Sequence, residues 1–500
     1  MRRTLDHIAA VVPDCQIAFP AGAQPDRDIV LSGIVTDSRD VNPGDLFFAM
    51  PGTRADGRTF IADAVSRGAV ATVVGAQANG ASVPQLVVHD VREALARIAD
   101  EWYGVPGSDV DLVGVTGTNG KTTSVRLIAG MMTTNGRCAA SLGTLGATLD
   151  GRPVDLGLSR PTTPEAHELR PALRTLAEQG ARTIAMEVSS HATALKRVWG
   201  LNFRVAVFTN LTEDHLDFHG DLDAYFRAKA MLFESLDESA TAVINIDDPR
   251  GRELMAMTQA RVLTFGWDND ADIRPVEIRS EGPISVALTS PVGPIELEMP
   301  FVGRFNIANA MATVGTGIAL KLAPTEIAAG LASAELIPGR FEPVDAGQDF
   351  TVVVDYAHTP DALDNALRTA RGIAEGRDGR LICVVGCGGD RDRTKRPIMG
   401  GIAAKLADTT MFTSDNPRTE IPERILDEIV AGASGFNPFE RMENRRAAIR
   451  RAIEKAQPGD VVVIAGKGHE PYQEINGIKH HFDDREEARE ALGSTHPAER

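Results

Sequence analysis

Thirteen residues, DLVGVTGTNGKTT at 111–123, constrain this chain more than any others. Leu112, Val113 and Val115 form an apolar, β-branched run that reads as a buried strand. Gly117 and Gly120 break it into a loop, and Lys121, Thr122 and Thr123 follow. Val125, Ile128 and Met132 then recur at helical spacing until Asn135 and Gly136 stop the helix. Strand, glycine loop and helix in that order make an anion cradle. Glycines let backbone N–H groups close around phosphate oxygens, and a helix N-terminus favours negative charge. A lysine at this point reaches the outer phosphates, and a threonine hydroxyl sits on Mg²⁺. The strict phosphate-loop pattern asks for glycine at position 115, where Val115 stands, with Gly114 one place early. The expectation is a nucleotide site over Gly117, Thr118, Asn119, Gly120, Lys121, Thr122 and Thr123, set against a turn of purely structural purpose.

The chain's 500 residues correspond to about three domains. A net charge of -17 argues against a nucleic-acid or anionic-membrane surface, although a local cluster of arginine and lysine still binds an anionic substrate. Four cysteines, Cys15, Cys138, Cys383 and Cys387, lie in or beside apolar runs and read as reduced thiols. No secretory leader is visible, and no run approaches the ~18 apolar residues of a membrane span. The expectation is a cytoplasmic soluble protein.

Residues 1–107 read as a small mixed α/β domain, with strands over 46–49 and 69–74, helices over 60–68 and 93–103, and a linker at 105–109. Residues 108–337 read as a central α/β domain of the phosphate-loop ATPase type. There, apolar strands at 183–186, 205–208 and 242–245 run into polar residues. Residues 338–500 repeat that grammar at 352–354, 381–385, 410–413 and 461–464, with a helix over 445–456, and read as a doubly wound, Rossmann-like domain. Open α/β sheets bind ligands at the carboxyl ends of their strands, so each set of polar residues faces one rim.

A phosphate cradle implies Mg²⁺, which takes oxygen ligands and waters. Thr122 is the first candidate, with Glu187 and His215 at neighbouring strand ends. Glu187 also reads as a solvated loop carboxylate, and His215 as a capping or core histidine. On spacing alone Lys229 falls on the polar face of an amphipathic helix. Asn306 and Asn309 stand where they would simply cap a helix that starts near Phe301.

Ten stretches in order resemble the Mur ligase family, which builds the peptide stem of bacterial peptidoglycan: TGTNGKTT, EVSSH, TNLTEDHLD, Ala228 with Lys229, GRFNIANA, PGRFE, DYAHTP, GCGGDRD, DNPR and GKGHE. The resemblance covers almost the whole chain. It implies an ATP-dependent amide ligase with domains for a UDP-sugar, for ATP and for an amino acid. Within the family the likeness is to members that add the third residue to UDP-N-acetylmuramoyl-L-Ala-D-Glu through an acyl phosphate. By that likeness Gly117 to Thr123 hold ATP phosphates, and Thr122, Glu187 and His215 serve the metals. Lys229 matches a lysine carbamylated by CO₂. Asn306 and Asn309 lie by the adenine, and Arg340, Asp355 and His358 by the ribose and phosphates. Ser38, Thr162, Thr163, Ser189 and Arg197 hold the UDP-muramoyl substrate, and Leu195 replaces a glutamine contact of some relatives. The catalytic set so implied is Lys121, Glu187, His215 and Lys229, and the expected assembly is a monomer.

Asp415, Asn416, Pro417 and Arg418 resemble the motif of members that add meso-diaminopimelate, with Arg391, Gly466 and Glu470 matching further contacts. Diaminopimelate is lysine with an extra carboxylate at its far end. An arginine grips that group with a two-pronged charge-assisted pair and is left unpaired and desolvated by lysine. Acidic Asp415 and Glu470 suit the ammonium. Set against this, Arg418 also reads as a surface arginine after a turn. The alternatives are the lysine-adding form, folylpolyglutamate synthase, a regulatory or motor ATPase, and a non-catalytic nucleotide-binding relative. The last is opposed by the intact Lys121, Glu187, His215 and Lys229.

Overall fold

Short apolar runs between polar turns give the N-terminal part a five-stranded sheet. Its order is Gln16–Ala18, Gln85–Val87, Ala71–Val74, Leu46–Phe48, Ile34–Val35, parallel except for the first pair. Asp90 caps the helix Val91–Tyr103, its carboxylate accepting from the Arg92 and Glu93 N–H groups, and the helix lays Leu95, Ile98 and Trp102 into the core. The computed structural model describes residues 3–495 except 53–55, 106, 108, 160–161 and 269. Pro106 and Ser108 of the expected linker therefore lie outside the described residues.

The central sheet has eight strands. In spatial order they are Arg261–Phe265, Thr241–Asn245, Val205–Phe208, Asp111–Thr116, Thr183–Glu187, Ala139–Gly143, Gly146–Leu149 and Arg152–Val154. The first six are parallel and the last two antiparallel. The parallel strands are near-continuous apolar runs because both faces are covered. Val113, Val115, Val207 and Val243 pack towards the helices Lys121–Thr134 and Arg304–Ala319, while Leu112, Ala206, Phe208 and Ile244 fill the other face. A three-stranded antiparallel sheet, Arg274–Glu281, Ile284–Thr289 and Ile295–Met299, extends the first core.

The C-terminal sheet runs Glu342–Pro343, Thr351–Asp355, Val461–Ala465, Leu381–Val385, Thr409–Phe412, Phe439–Arg441, and only Glu342–Pro343 is antiparallel. Alternate residues face two separate cores, with Val353, Cys383 and Val463 in one and Val352, Ile382 and Val462 in the other. A hairpin, Tyr472–Ile475 with Ile478–His481, follows the last parallel strand. The α/β class with three domains expected from the sequence is the class observed. Elements with no counterpart in that reading include the 274–299 sheet, the 472–481 hairpin and the strands Ala139–Gly143, Gly146–Leu149 and Arg152–Val154.

Buried polar contacts join the domains. Arg170 is fully buried and pairs with Asp100 at 2.7 Å, tying the central helix Ala166–Glu178 to the N-terminal domain. Asn119 Nδ2 donates to Asp361 Oδ2 at 2.9 Å, and Arg340 Nη2 to Thr122 Oγ1 at 3.0 Å, both between the central and C-terminal domains. All four cysteines are free, with Cys383 and Cys387 buried, and burial pushes both thiols up to about 12. Among the described residues no helix is long and apolar enough to cross a membrane.

Candidate active site

A cavity of about 650 Å³ opens between the central and C-terminal domains. Its floor is the loop after strand Asp111–Thr116. Gly120 precedes the helix Lys121–Thr134 with φ of 86°, a conformation that favours glycine. A Cβ there would collide with Asn309 Oδ1, and one at Gly117 would fall on the Thr209 hydroxyl. The loop is pinned from below. Thr118 N–H donates to Asn210 O, Asn119 N–H to Asn210 Oδ1 at 2.9 Å, and Thr209 Oγ1 to Asn119 O at 2.6 Å. Lys121 Nζ donates to the carbonyls of Gly117 and Thr118, both at 2.8 Å, so its charge rests over the loop. Burial lowers its pKa, with Glu187 the main opposing influence.

Glu187 ends its strand 1% exposed. Its carboxylate accepts from Thr122 Oγ1 at 2.9 Å, from Thr144 N–H at 2.9 Å and from Thr144 Oγ1 at 3.2 Å. Thr122 and Glu187 thus offer a hydroxyl and a carboxylate side by side at a helix start, a donor set of oxygens that fits Mg²⁺. His215 has φ of 55° and is 44% exposed at its side chain, into the cavity. Desolvation within the cleft holds its imidazole below the usual range, with Asp214 opposing. His215 stands at the start of helix Leu216–His219 but makes no side-chain cap.

The polar-face reading of Lys229 is overturned. The residue is 1% exposed, its Nζ donates to Gly117 O at 2.8 Å, and it lies 4.3 Å from the Tyr225 ring centroid. Burial, and then the nearby Lys121, hold its pKa well below that of a free lysine. The cap reading of the asparagines also fails. Helix Arg304–Ala319 starts after Gly303, and both asparagines are buried inside it. Asn306 Nδ2 donates to Val302 O, and Asn309 Nδ2 to Asn306 Oδ1 at 3.1 Å. Asn309 lines the main cavity, while Asn306 lines a smaller one of about 250 Å³.

From the third domain, Arg340, Asp355 and His358 reach the same cavity. Arg340 stacks 4.6 Å from the Tyr356 ring. Asp355 Oδ2 accepts from Phe341 N–H at 2.6 Å, and burial pushes its carboxyl above the usual range. His358 Nδ1 pairs with Tyr356 O at 2.8 Å, and burial pushes the imidazole down to about 4. The cavity thus offers a glycine cradle, a lysine and an arginine beside oxygen donors, which fits a nucleoside triphosphate with its Mg²⁺.

Towards the N-terminal domain, Thr163 Oγ1 donates to Glu187 O at 2.9 Å and accepts from Ser189 N–H at 3.1 Å. Arg197 donates to Thr163 O at 2.9 Å and pairs with Glu165 at 2.8 Å. Thr162 and Ser189 line the main cavity. Ser38 is buried in a single helical turn, Ser38–Asp40, away from that cavity's lining. Leu195 ends the short helix Ser190–Ala194.

In the third domain, Asp415 and Asn416 are buried and Glu470 is half-buried. Asn416 Nδ2 donates to Glu470 Oε2 at 2.9 Å. A Cβ on Gly466, whose φ is 115°, would stand 2.7 Å from Asp415 Oδ2. Arg418 is no surface arginine, its side chain being 18% exposed. Its φ is 52°, its Nη1 donates to Gly389 O at 2.7 Å, and its Nε lies 3.5 Å from Glu474 Oε2. Pro417 is buried beside it. Arg391 is exposed and bonded to Asp390 O.

Residue-by-residue reading passed over Thr144, Asn210, Asp361, Lys467 and Glu474. Asp361 had a signal, since it opens a helix directly after DYAHTP. Glu474 had one too, in the alternation that leads to Asn476 and Gly477, a hairpin-turn pair.

Three family models match the chain. The Mur ligase family catalytic domain covers residues 30–103, the Mur ligase middle domain 115–317, and the Mur ligase glutamate ligase domain 339–468. A curated relative from Gloeobacter violaceus, named UDP-N-acetylmuramoyl-L-alanyl-D-glutamate--2,6-diaminopimelate ligase, is 48% identical over 471 residues, covering 93% of this chain and 94% of its own. A solved structure of a ligase with the same name is 36% identical, covers 99% of this chain and 100% of its own, and superposes with a TM-score of 0.67. Folylpolyglutamate synthase from Mycobacterium tuberculosis, 20% identical over 75% of this chain and 92% of its own with a TM-score of 0.61, shares the fold.

Proposed function

This chain belongs to the Mur ligase family, and from that premise we propose that it joins meso-2,6-diaminopimelate to the D-glutamyl γ-carboxylate of UDP-N-acetylmuramoyl-L-Ala-D-Glu at the expense of ATP. The setting is cytoplasmic synthesis of peptidoglycan precursor. Residues 1–107 take the UDP substrate, 108–337 the ATP, and 338–500 the amino acid.

The γ-carboxylate attacks the ATP γ-phosphorus, giving an acyl phosphate and ADP. The acceptor's amine then attacks the acyl carbon, loses a proton, and expels inorganic phosphate. The chain's part is positioning and charge stabilisation. Loop 117–123 holds the phosphates through the N–H groups at its helix start, those of Thr118 and Asn119 being taken by Asn210, and Lys121 moves from the Gly117 and Thr118 carbonyls onto the transferring phosphoryl group. Thr122, Glu187 and His215 would hold Mg²⁺, which would supply neutralisation of the phosphate charge. Asn306 and Asn309 flank the adenine, and Arg340, Asp355 and His358 take the ribose and phosphates. Ser38, Thr162, Thr163, Ser189 and Arg197 take the UDP-muramoyl part.

Lys229 is the residue for the CO₂-derived carbamate. A buried lysine beside a second cation is uncharged more readily, and the neutral amine is the form that attacks CO₂. The product is an anion with two oxygens, which suits a metal neighbour.

Arg418 carries the choice of acceptor. It is a largely buried guanidinium fixed at Nη1 and Nε, beside Asp415, Asn416 and Glu470, with Gly466 giving close backbone approach and Arg391 at the rim. A carboxylate on the far end of the acceptor meets the arginine, and an ammonium meets the acids. The test is phosphate release from ATP with Mg²⁺. Release that requires both the UDP-dipeptide and diaminopimelate supports the reading. Release with water alone, or with glutamate and a folate, contradicts it.

A further inference from the structure

One charged side chain at the acceptor end is buried with no part in the reaction above. Lys467 follows the strand Val461–Ala465 and has no solvent exposure at all. Its Nζ donates to Asn416 Oδ1 at 3.1 Å, and lies 3.5 Å from Asp415 Oδ1 and 3.9 Å from Glu470 Oε2. Asn416 Oδ1 also accepts from Glu474 N–H at 2.9 Å, while Nδ2 donates to Glu470. An ammonium and an N–H are donors only. They fix the amide with its oxygen towards Lys467 and its NH₂ towards Glu470.

Burying an ammonium is costly unless neighbouring groups need its charge. Here two carboxylates do. Burial first, and then Asp415, push the carboxyl of Glu470 above its usual range. Burial also works upward on Asp415, yet Lys467 leads Arg445, Arg418 and His358 in holding that carboxyl below its usual range. Glu470 further faces Arg418 and the Tyr356 hydroxyl, the latter at 3.4 Å.

We propose that Lys467 is a positioning residue of the acceptor site, keeping Asp415 and Glu470 together as anions and the Asn416 amide in one orientation, so that the cluster carries one negative charge for the far ammonium of the incoming amino acid. This rests on the acceptor reading given above. Lysine 467 touches no reacting atom and acts through its three neighbours.

The experiment is steady-state kinetics of the full chain with ATP, Mg²⁺, the UDP-dipeptide and meso-diaminopimelate, for wild type, K467M, K467Q and K467R. K467M is expected to raise the KM for diaminopimelate on the order of 100-fold while the KM values for ATP and UDP-dipeptide stay within about threefold. K467R, which keeps the charge, recovers at least about tenfold of that loss. In K467M and in K467Q the acid limb of kcat/KM for diaminopimelate moves to higher pH, because Glu470 then faces Asp415 with no cation between them. K467Q keeps a donor for Asn416, so it carries the pH test if K467M does not fold. An unchanged KM for diaminopimelate in an active enzyme overturns the proposal. So does a parallel rise of all three KM values with lower thermal stability, or an unmoved acid limb in K467Q. A wild type that does not use diaminopimelate overturns the acceptor reading itself, and this inference with it.

Discussion

At the proposed phosphate end, seven consecutive residues, 117–123, supply the cradle, and most of what they offer is backbone: two glycines, a helix start and a row of N–H groups. At the proposed acceptor end, the groups come from three stretches of one domain, 388–391, 415–418 and 466–474, and most are side chains braced by other side chains. Even the Arg418 backbone is held from a distance, its N–H donating to Glu474 O at 3.0 Å and its carbonyl accepting from Asn476 N–H at 2.8 Å. A backbone site responds to shape and hardly to charge. A side-chain site responds to charge and to the loss of any one brace.

The largest effect is expected where the phosphate end departs from its own rule, at Lys121, the cation within loop 117–123. Lys121→Met is expected to lower kcat by about 10³-fold, read as ADP formation at saturating substrates, because it removes the charge that meets the transferring group. Next is Arg418→Ala, expected to lower kcat/KM for diaminopimelate about 10²-fold and to change the ratio against L-lysine by a similar factor. Gly120→Ala probes shape alone. Its φ of 86° and the Asn309 side chain in the path of a Cβ predict ATP affinity weaker by about 10-fold or more, with no change in the response to salt. The smallest effect concerns the acceptor end's brace. Glu420 accepts from Arg396 at 2.7 Å and from Asp390 N–H at 2.7 Å. The Arg396 hydrogen bond holds its carboxyl at about 2, down from 4.5. A depressed carboxylate stabilises the fold above its unfolded value and loses that contribution as pH falls through the folded one. Glu420→Gln therefore lowers Tm at pH 7, and the gap to wild type narrows below about pH 4.5 and closes as pH falls through about 2.

The same contrast sets what was legible in the sequence. The cradle was readable because its chemistry is local: a glycine's φ, a helix start and a lysine are all set within a few residues. The doubly wound sheets were readable because buried parallel strands are unbroken apolar runs, as at 205–208 and 461–464. Lys229 was not legible from spacing, since its burial depends on Gly117 of another element meeting it. The strands Arg274–Glu281 and Ile295–Met299 escaped notice because one is largely exposed and the other alternates, so neither makes an apolar run. Lys467 sits between two glycines like any loop lysine, and only the fold brings Asp415, Asn416 and Glu470 around it.

Acceptor choice is the claim on which the two ends meet, because the role proposed for Arg418 is to select the amine and the role proposed for loop 117–123 is only to hold phosphates. The direct measurement is a competition. The purified chain receives ATP, Mg²⁺, UDP-N-acetylmuramoyl-L-Ala-D-Glu and equal concentrations of meso-diaminopimelate and L-lysine, and the UDP-linked products are weighed by mass spectrometry. The account predicts the diaminopimelate adduct in excess by about 10²-fold or more. A lysine adduct as the main product, or the two in comparable amounts, would contradict it.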